Sequence, residues 1–133
     1  MFAGGTAVVT AAASGIGAAV ATELARRGAR LVLVDRDAGR LAAVAEETKA
    51  ETHVVDLSDG AAVVALGERI RADHPRLRLL VDNAGIALGG RFDQVTLDQY
   101  EEIIDVSFRA VVRLTHTLLP ALRAERSWPA RSA

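Results

Sequence analysis

The chain has 133 residues and a net charge of −1, so it is long enough for one domain with a single core and has no charge excess that would favour nucleic acid as a partner. Half of its residues are hydrophobic and a quarter are charged, which is typical of a globular protein. The absence of cysteine excludes disulfides, thiolate metal sites and a cysteine nucleophile.

The amino-terminal residues show no targeting signal. Residues 1–5 lack the basic segment of a secretory signal, and no apolar run approaches the ~20 residues that span a membrane. We therefore expect no membrane partner and a cytoplasmic location.

The first predicted elements are a strand and a helix. Residues 7–10 are apolar or β-branched and predict a buried strand. Residues 15–27 carry Ile16, Val20 and Leu24 at a spacing of four, which predicts a helix with these side chains on its buried face.

The next elements continue this alternation. Residues 31–34 are apolar at every position, which predicts a strand that is covered on both faces. Asp37 is placed to cap the second helix, and residues 52–55 predict the third strand. Ser58 is placed to cap the third helix, and residues 77–81 predict the fourth strand.

The last predicted helix follows a loop over residues 85–90. Thr96 and Gln99 have the spacing of a capping box, in which each side chain satisfies a free N–H at the helix start. Pro120 is expected to kink or end this helix, because proline removes a helical hydrogen bond. Residues 125–133 have no periodicity and predict an irregular tail. The predicted apolar face of the helix consists of Tyr100, Ile104, Phe108, Val111, Thr115 and Leu118.

The alternation of strands and helices predicts an α/β fold over residues 1–124, with a parallel sheet between two layers of helices. A Rossmann-type, doubly wound arrangement with right-handed crossovers gives the strand order 3-2-1-4, with the first two helices on one face. The chain reverses direction between strands 1 and 4. We expect a ligand to bind in the crevice that opens there, at the carboxyl ends of the strands.

The loop from residue 10 to residue 17 indicates phosphate binding. It joins strand 1 to helix 1, where free backbone N–H groups and the positive end of the helix dipole would meet a pyrophosphate. The alternative is an ordinary tight turn. The candidate cofactor-binding residues of this loop are Thr10, Ser14, Gly15, Ile16 and Gly17.

Asp35 ends strand 2 and lies 18 residues after Gly17. An acid at this distance can accept both hydroxyls of an adenosine ribose and would repel a 2′-phosphate. Arg36 beside it would partly offset that repulsion, so NAD is the expected cofactor and NADP is the alternative. The other interpretation of Asp35 is a helix cap or a solvated side chain.

Two further motifs follow strands 3 and 4. Asp56 and Leu57 come directly after strand 3, where the Asp56 carboxylate is placed either to accept from an adenine amino group or to cap the next helix. After strand 4, Asn83 is placed to link neighbouring strands, and the small residues Ala84 and Gly85 leave room for a nucleotide. These five residues complete the predicted cofactor site.

Over about residues 5–124 the sequence resembles the short-chain dehydrogenase/reductase family. That family carries Thr-Gly-x-x-x-Gly-x-Gly after strand 1, an Asp after strand 3 and Asn-Asn-Ala-Gly after strand 4. Residues 10–17, Asp56 and residues 82–85 stand at matching intervals. The resemblance implies an NAD(P)-dependent oxidoreductase that transfers a hydride between nicotinamide and an alcohol or ketone. In the family, an acid at the position of Asp35 accompanies NAD, and basic residues nearby accompany NADP.

The sequence departs from the family pattern at three positions. Ala11 replaces the first glycine of the loop, which would be strained if this position needs a positive φ. Asp82 replaces the first Asn after strand 4, and no neighbour in the sequence is expected to raise its pKa. Ser107 stands where the family has an active-site Asn, and an ordinary helix residue is the favoured interpretation.

No catalytic residue is identified. The family's Tyr-x-x-x-Lys has no equivalent, because the single tyrosine, Tyr100, is followed four residues later by Ile104 and the only lysine is Lys49. We therefore expect a chain truncated before the catalytic segment, through a premature end, a shifted frame or a split protein, and inactive by itself. The three histidines have no metal-ligand spacing, so no metal site is expected.

Two other classes of function remain open. One is a non-catalytic nucleotide-binding module, and the other is an S-adenosylmethionine-binding protein, which also has an acid after strand 2. The motif at residues 82–85 argues against the second. The sequence does not define the substrate. Without a fifth strand, the open edge of residues 77–81 predicts self-association.

Overall fold

The computed structural model describes residues 2–125 and confirms the predicted α/β architecture. The strands are β1 (Thr6–Thr10), β2 (Arg30–Asp35), β3 (Glu51–Val54) and β4 (Leu79–Val81). The helices are α1 (Gly15–Arg26), α2 (Ala38–Thr48), α3 (Gly60–Asp73), α4 (Leu97–Ile104) and α5 (Ala110–Ala124), with a 3₁₀ turn at Phe92–Gln94. A π-helical turn at Asp105–Arg109 joins α4 to α5.

The four strands form one parallel sheet in the order β3-β2-β1-β4, as predicted. Val8 of β1 lies opposite Val32 of β2 and Leu80 of β4. The chain leaves β1 on one side and reaches β4 on the other, so the carboxyl ends of these strands flank a crevice.

The sheet is covered on both faces, because successive side chains of a strand point to opposite sides. On one face, Val9 and Leu33 pack with Leu24 of α1 and Leu41 of α2. On the other face, the core is formed with α3 and α5 by Val8, Val32, Val34, Val63, Leu66, Ile70, Leu114 and Leu118. The two layers hold the carboxyl ends of the strands in fixed positions.

Two helix caps agree with the sequence and one does not. The Asp37 carboxylate accepts from the Arg40 N–H at 3.0 Å, and the Thr96 hydroxyl accepts from the Gln99 N–H at 3.2 Å. The predicted Ser58 cap is wrong, because α3 begins at Gly60 and its cap is Asp59. The two strand predictions near this helix are also displaced, since β3 covers residues 51–54 and β4 covers residues 79–81.

The predicted buried faces of two helices are wrong in part. In α1 the small residues Gly17 and Ala21 lie inward with Leu24, and Ile16 is 74% exposed. In the segment of α4 and α5, Ile104 is 42% exposed and Phe108 is 64% exposed. The π-helical turn shifts the angular position of every later residue, because it holds more residues per turn than an α-helix. The buried face after it consists of Val106, Ala110, Leu114, Leu118 and Ala121.

Pro120 does not end α5, which continues to Ala124. Its missing N–H leaves the carbonyl of His116 without the usual helical donor. Both residues are exposed, so water can satisfy that carbonyl. Of the predicted tail, Glu125 follows the helix, and residues 126–133 lie outside the described part of the chain. Within residues 2–125, none of the helices combines the length and the apolar character that a bilayer crossing requires.

Candidate functional site

A cleft of about 110 Å³ opens at the carboxyl ends of β2 and β3, beside the loop that follows β4. It brings together six of the twelve predicted cofactor-binding residues, and it is lined by Ala11, Asp35, Arg36, Val55, Asp56, Leu57, Ala84, Gly85, Ile86 and Val106. The sequence did not single out Val55, Ile86 or Val106. Their apolar side chains carry no chemical signal of a site, and only the fold places them there.

The other six predicted residues surround this cleft without lining it. Ser14, Gly15 and Ile16 are exposed at the start of α1. The Ser14 hydroxyl makes no capping hydrogen bond to the helix. The first N–H groups of a helix have no intrahelical acceptor, so this exposed terminus presents donors and a positive dipole end to a ligand.

Thr10 and Asn83 connect the ends of β1 and β4. The Thr10 side chain is 1% exposed, and its hydroxyl accepts from the N–H groups of Asn83 and Ala84 at 3.0 Å each. The same hydroxyl donates to the Val81 carbonyl at 3.4 Å, and the Asn83 amide donates to the Ala11 carbonyl at 3.3 Å. Thr10 and Asn83 therefore hold the loop after β1 and the loop after β4 in fixed positions relative to each other.

At Gly17 the backbone of α1 lies so close to the loop after β1 that there is no room for a side chain. A Cβ at this position would overlap the Ala11 carbonyl oxygen and lie 2.7 Å from the Asn83 amide nitrogen. Gly15 differs, since it has a φ of +59° and open space around its Cα. The two glycines thus serve different purposes, one in packing and the other in backbone conformation.

Ala11, which replaces the first glycine of the family motif, adopts a φ of +50°. This value lies in the left-handed region, so the position does require the positive φ that glycine adopts without strain. This conformation costs a non-glycine residue about 1–2 kcal/mol. The unfolded state of a glycine variant gains entropy, which offsets part of that relief.

We expect Ala11→Gly to raise the free energy of unfolding by about 0.5–1 kcal/mol, the difference between these two effects. Urea unfolding of both proteins measures it. Ala13→Gly is the matched control in the same loop, because Ala13 is buried and has no positive φ. That control should lose stability, and equal behaviour of the two variants would contradict the assignment of strain to Ala11.

Asp35 is held in a defined orientation at the edge of the cleft. One carboxylate oxygen accepts from the Ala13 N–H and the other from the Asp37 N–H, both at 3.0 Å. A carboxylate offers about four acceptor positions, so acceptors remain for two ligand hydroxyls. The predicted alternative of a helix cap is not observed, because Asp37 caps α2.

Asp56 lies opposite, after β3. Its Oδ1 atom accepts from the Ser58 N–H at 2.9 Å and from the Ser58 hydroxyl at 2.8 Å. These bonds, with a smaller contribution from the positive charge of Arg36, hold the pKa of Asp56 below its usual range. Asp56 is therefore a carboxylate at neutral pH. It does not cap α3, which leaves it available as an acceptor at the cleft.

Asp82 and Ser107 have surroundings that the sequence did not reveal. Burial raises the pKa of Asp82, whereas a hydrogen bond from the Thr115 hydroxyl at 2.9 Å lowers it. The expectation that nothing raises this pKa is therefore wrong. The Ser107 hydroxyl accepts from the Ile86 N–H at 3.1 Å, so the π-helical turn is bonded to the loop after β4. Ser107 is thus more than an ordinary helix residue.

The histidines do not approach the cleft. His53 and His74 both contact the carboxylate of Glu51, at 2.9 Å and 3.3 Å. In the part of the chain that the structure describes, there is no group of three or more His, Cys, Asp or Glu side chains that could hold a metal ion.

The parallel sheet in the order β3-β2-β1-β4 with helices on both faces is a Rossmann-type fold. The family model of the short chain dehydrogenases matches residues 5–128, and the chain belongs to this family. The resemblance seen in the sequence is therefore confirmed.

The relatives agree with this assignment. The chain is 41% identical to human dehydrogenase/reductase SDR family member 13 over 128 residues, covering 91% of this chain and 33% of the human protein. It is 33% identical over 127 residues to an uncharacterized oxidoreductase of Staphylococcus saprophyticus, covering 91% of this chain and 54% of that protein. The chain thus spans about a third to a half of the length of these curated relatives.

Solved structures show the same fold with cofactors. A metagenomic short-chain oxidoreductase in complex with NADP superimposes with a TM-score of 0.87 and 38% identity, covering 92% of this chain and 58% of that one. The 3-ketoacyl-(acyl-carrier-protein) reductase of Brucella melitensis, complexed with NADH, superimposes with a TM-score of 0.85 and 31% identity, covering 93% of this chain and 52% of the reductase.

Proposed function

We propose that this chain binds NAD(P) and forms the dinucleotide-binding part of an oxidoreductase that transfers a hydride between nicotinamide and an alcohol or ketone. The observation that carries the proposal is the convergence of Asp35 and Asp56 on one cleft beside the exposed amino terminus of α1. The bound dinucleotides of the similar solved structures support it.

The residues of the cleft fit an adenosine. The fixed carboxylate of Asp35 is placed to accept the ribose hydroxyls, and the carboxylate of Asp56 is placed to accept from the adenine amino group. Leu57 and Val106 supply apolar walls for the ring, and the small residues Ala84 and Gly85 leave the entrance open.

The pyrophosphate would be held by the amino terminus of α1. The exposed residues Ser14, Gly15 and Ile16 present backbone donors there, and Gly17 brings the helix close to the loop. Thr10 and Asn83 fix the loop after β1 relative to the loop after β4 through hydrogen bonds. When bound, the nicotinamide supplies or accepts the hydride.

We expect NAD to bind about tenfold more tightly than NADP, because the negative charge of Asp35 would face the 2′-phosphate. Asp35→Asn should reduce this preference to within about threefold by removing that charge. Isothermal titration calorimetry with both cofactors measures the two affinities. Glu47→Gln, an exposed change on α2, is the control and should leave the preference unchanged. Equal or tighter binding of NADP to the unmodified chain would contradict the role of Asp35.

A second candidate is a dinucleotide-binding module without catalysis. It is favoured by the surroundings of Tyr100, whose hydroxyl donates to the Phe92 carbonyl at 2.9 Å. The only lysine, Lys49, is the C-cap of α2. Measured turnover separates this candidate from the first. For the S-adenosylmethionine alternative, titration with that ligand beside NAD is decisive, and the family assignment favours NAD.

The proposal extends to self-association through β4. Among residues 2–125, β4 pairs with a strand on one side only, and its exposed edge belongs to the apolar segment Leu79–Val81. Such an edge favours pairing with another strand. The opposite edge strand, β3, begins with Glu51 and carries His53, which disfavour pairing there.

We therefore expect the weight-average mass of the purified 133-residue chain to rise with concentration. Sedimentation velocity at several concentrations measures this mass. A constant monomer mass over a hundredfold range would contradict association through the β4 edge.

A further inference from the structure

An ion pair spans the rim of the cleft between two elements that are far apart in the sequence. Arg36 follows β2, and its Nη1 atom lies 3.8 Å from Oε1 of Glu102 on α4. Arg36 also lines the cleft. Val106, four residues after Glu102, lines the same cleft, so Glu102 lies near it in the chain and contacts one of its lining residues, Arg36.

Arg36 is the one basic residue that lines the cleft in the described range 2–125. It is next to Asp35, whose carboxylate is placed to accept the ribose hydroxyls. A phosphate on the ribose 2′-oxygen would therefore find Arg36 as its cationic partner, as guanidinium groups are well suited to phosphate.

Glu102 competes for that guanidinium. The Glu102 carboxylate contacts one guanidinium nitrogen at 3.8 Å and offsets part of the positive charge of Arg36. A 2′-phosphate would compete with Glu102 for this guanidinium and would face its negative charge, whereas a free 2′-hydroxyl carries no charge.

We propose that Glu102 is a specificity-determining residue, which favours NAD over NADP by competing with a ribose 2′-phosphate for Arg36. This inference rests on the proposed function, since it concerns the ligand of the same cleft.

The expected effect is small and depends on salt. The two side chains are 69% and 46% exposed, and an ion pair of this length in water is weak. Removing it should change the affinity for a 2′-phosphorylated ligand about three- to fivefold. The change should shrink as the salt concentration rises, because exposed charges are screened.

The experiment is a double-mutant cycle with Glu102→Gln, Arg36→Gln and the double variant. Calorimetry is performed with adenosine 2′,5′-bisphosphate and 5′-AMP as fragments, and with NADP and NAD. We expect Glu102→Gln to tighten binding of the two 2′-phosphorylated ligands about three- to fivefold and to leave 5′-AMP and NAD within about 1.5-fold. In the Arg36→Gln background, the same change should have no effect on any ligand.

Glu101→Gln is the matched control. Glu101 neighbours Glu102 on α4 and pairs at 3.7 Å with Arg109, away from the cleft lining. This control should change no affinity. The inference is overturned if Glu102→Gln leaves the 2′-phosphorylated ligands unchanged, if it affects both classes of ligand equally, or if its effect persists without Arg36. A different result, no binding of NAD or 5′-AMP to the unmodified chain, would overturn the proposed function itself and the inference with it.

Discussion

A polypeptide of these 133 residues should bind NAD and yet produce NADH from secondary alcohols no faster than the same mixture without protein. Hydride transfer from an alcohol carbon needs a base for the hydroxyl proton, and such a base contributes roughly 10²–10⁴ in rate. The hydroxyl of the single tyrosine, Tyr100, is bonded to a backbone carbonyl. Four residues after it stands Ile104 instead of a lysine. The tyrosine–lysine pair that the family uses is therefore absent from these 133 residues.

The assay is NADH formation over a panel of secondary alcohols, with the reverse reaction on ketones. Asp82 requires a separate control, because it is partly buried and burial raises its pKa. Turnover that survives repurification and disappears in Asp35→Arg would contradict the prediction. If that turnover also disappeared in Asp82→Asn, Asp82 would be identified as the base.

Gly17→Ala should lower the free energy of unfolding by about 3 kcal/mol and abolish detectable binding of NAD. The added methyl group would overlap the Ala11 carbonyl oxygen and crowd the Asn83 amide. The backbone of Ala11 is the group that must move, and it already has a positive φ. The movement would also break the hydrogen bond between Asn83 and Ala11.

Two other glycines separate this steric effect from backbone strain. Gly15→Ala meets no atom within 4 Å but keeps a φ of +59°, so we expect a loss of about 1–2 kcal/mol. Gly89→Ala meets no atom and has no positive φ, so its change should stay within about 0.5 kcal/mol. Urea unfolding measures the free energy of unfolding of the three variants and so ranks their losses. A loss for Gly15→Ala as large as that for Gly17→Ala would refute the steric explanation.

The topology of the sheet could be predicted because each strand and helix shows its own periodicity. Residues 31–34 are apolar throughout, and β2 is buried on both faces, as its central position in the sheet requires. Caps such as Asp37 and Thr96 were also predictable, since the bonds they make are local. In contrast, Ser58 and Asp59 are neighbours that can both cap a helix, and only the exact start of α3 distinguishes them.

The buried face of α4 and α5 could not be predicted, because a periodicity argument assumes a constant number of residues per turn. The π-helical turn at residues 105–109 departs from that number, and the predicted face is already exposed at Ile104 before the turn and at Phe108 within it, whereas Val106 is buried. Val106, which lies in this turn, also lines the cleft, so the wrong helix face and the missed site residue belong to the same segment.

The cleft itself was predictable only in its polar part. Asp35 and Asp56 lie at the carboxyl ends of two strands, and in a parallel sheet these ends lie at the same edge. The sequence alone therefore predicted that both residues would lie near one cleft. The raised pKa of Asp82 was not predictable, since it depends on burial and on Thr115, which lies 33 residues away.

The Thr10 hydroxyl has a consequence for the dynamics of the molecule. Three backbone groups of residues 81–84 share this one oxygen atom, and the loop after β1 begins at the next residue. Local opening of either loop would break hydrogen bonds that the other loop shares, so we expect the two loops to open cooperatively. We therefore expect a ligand that contacts only the first loop also to stabilise the closed form of the second, and a ligand on the second loop to stabilise the first by the same free energy.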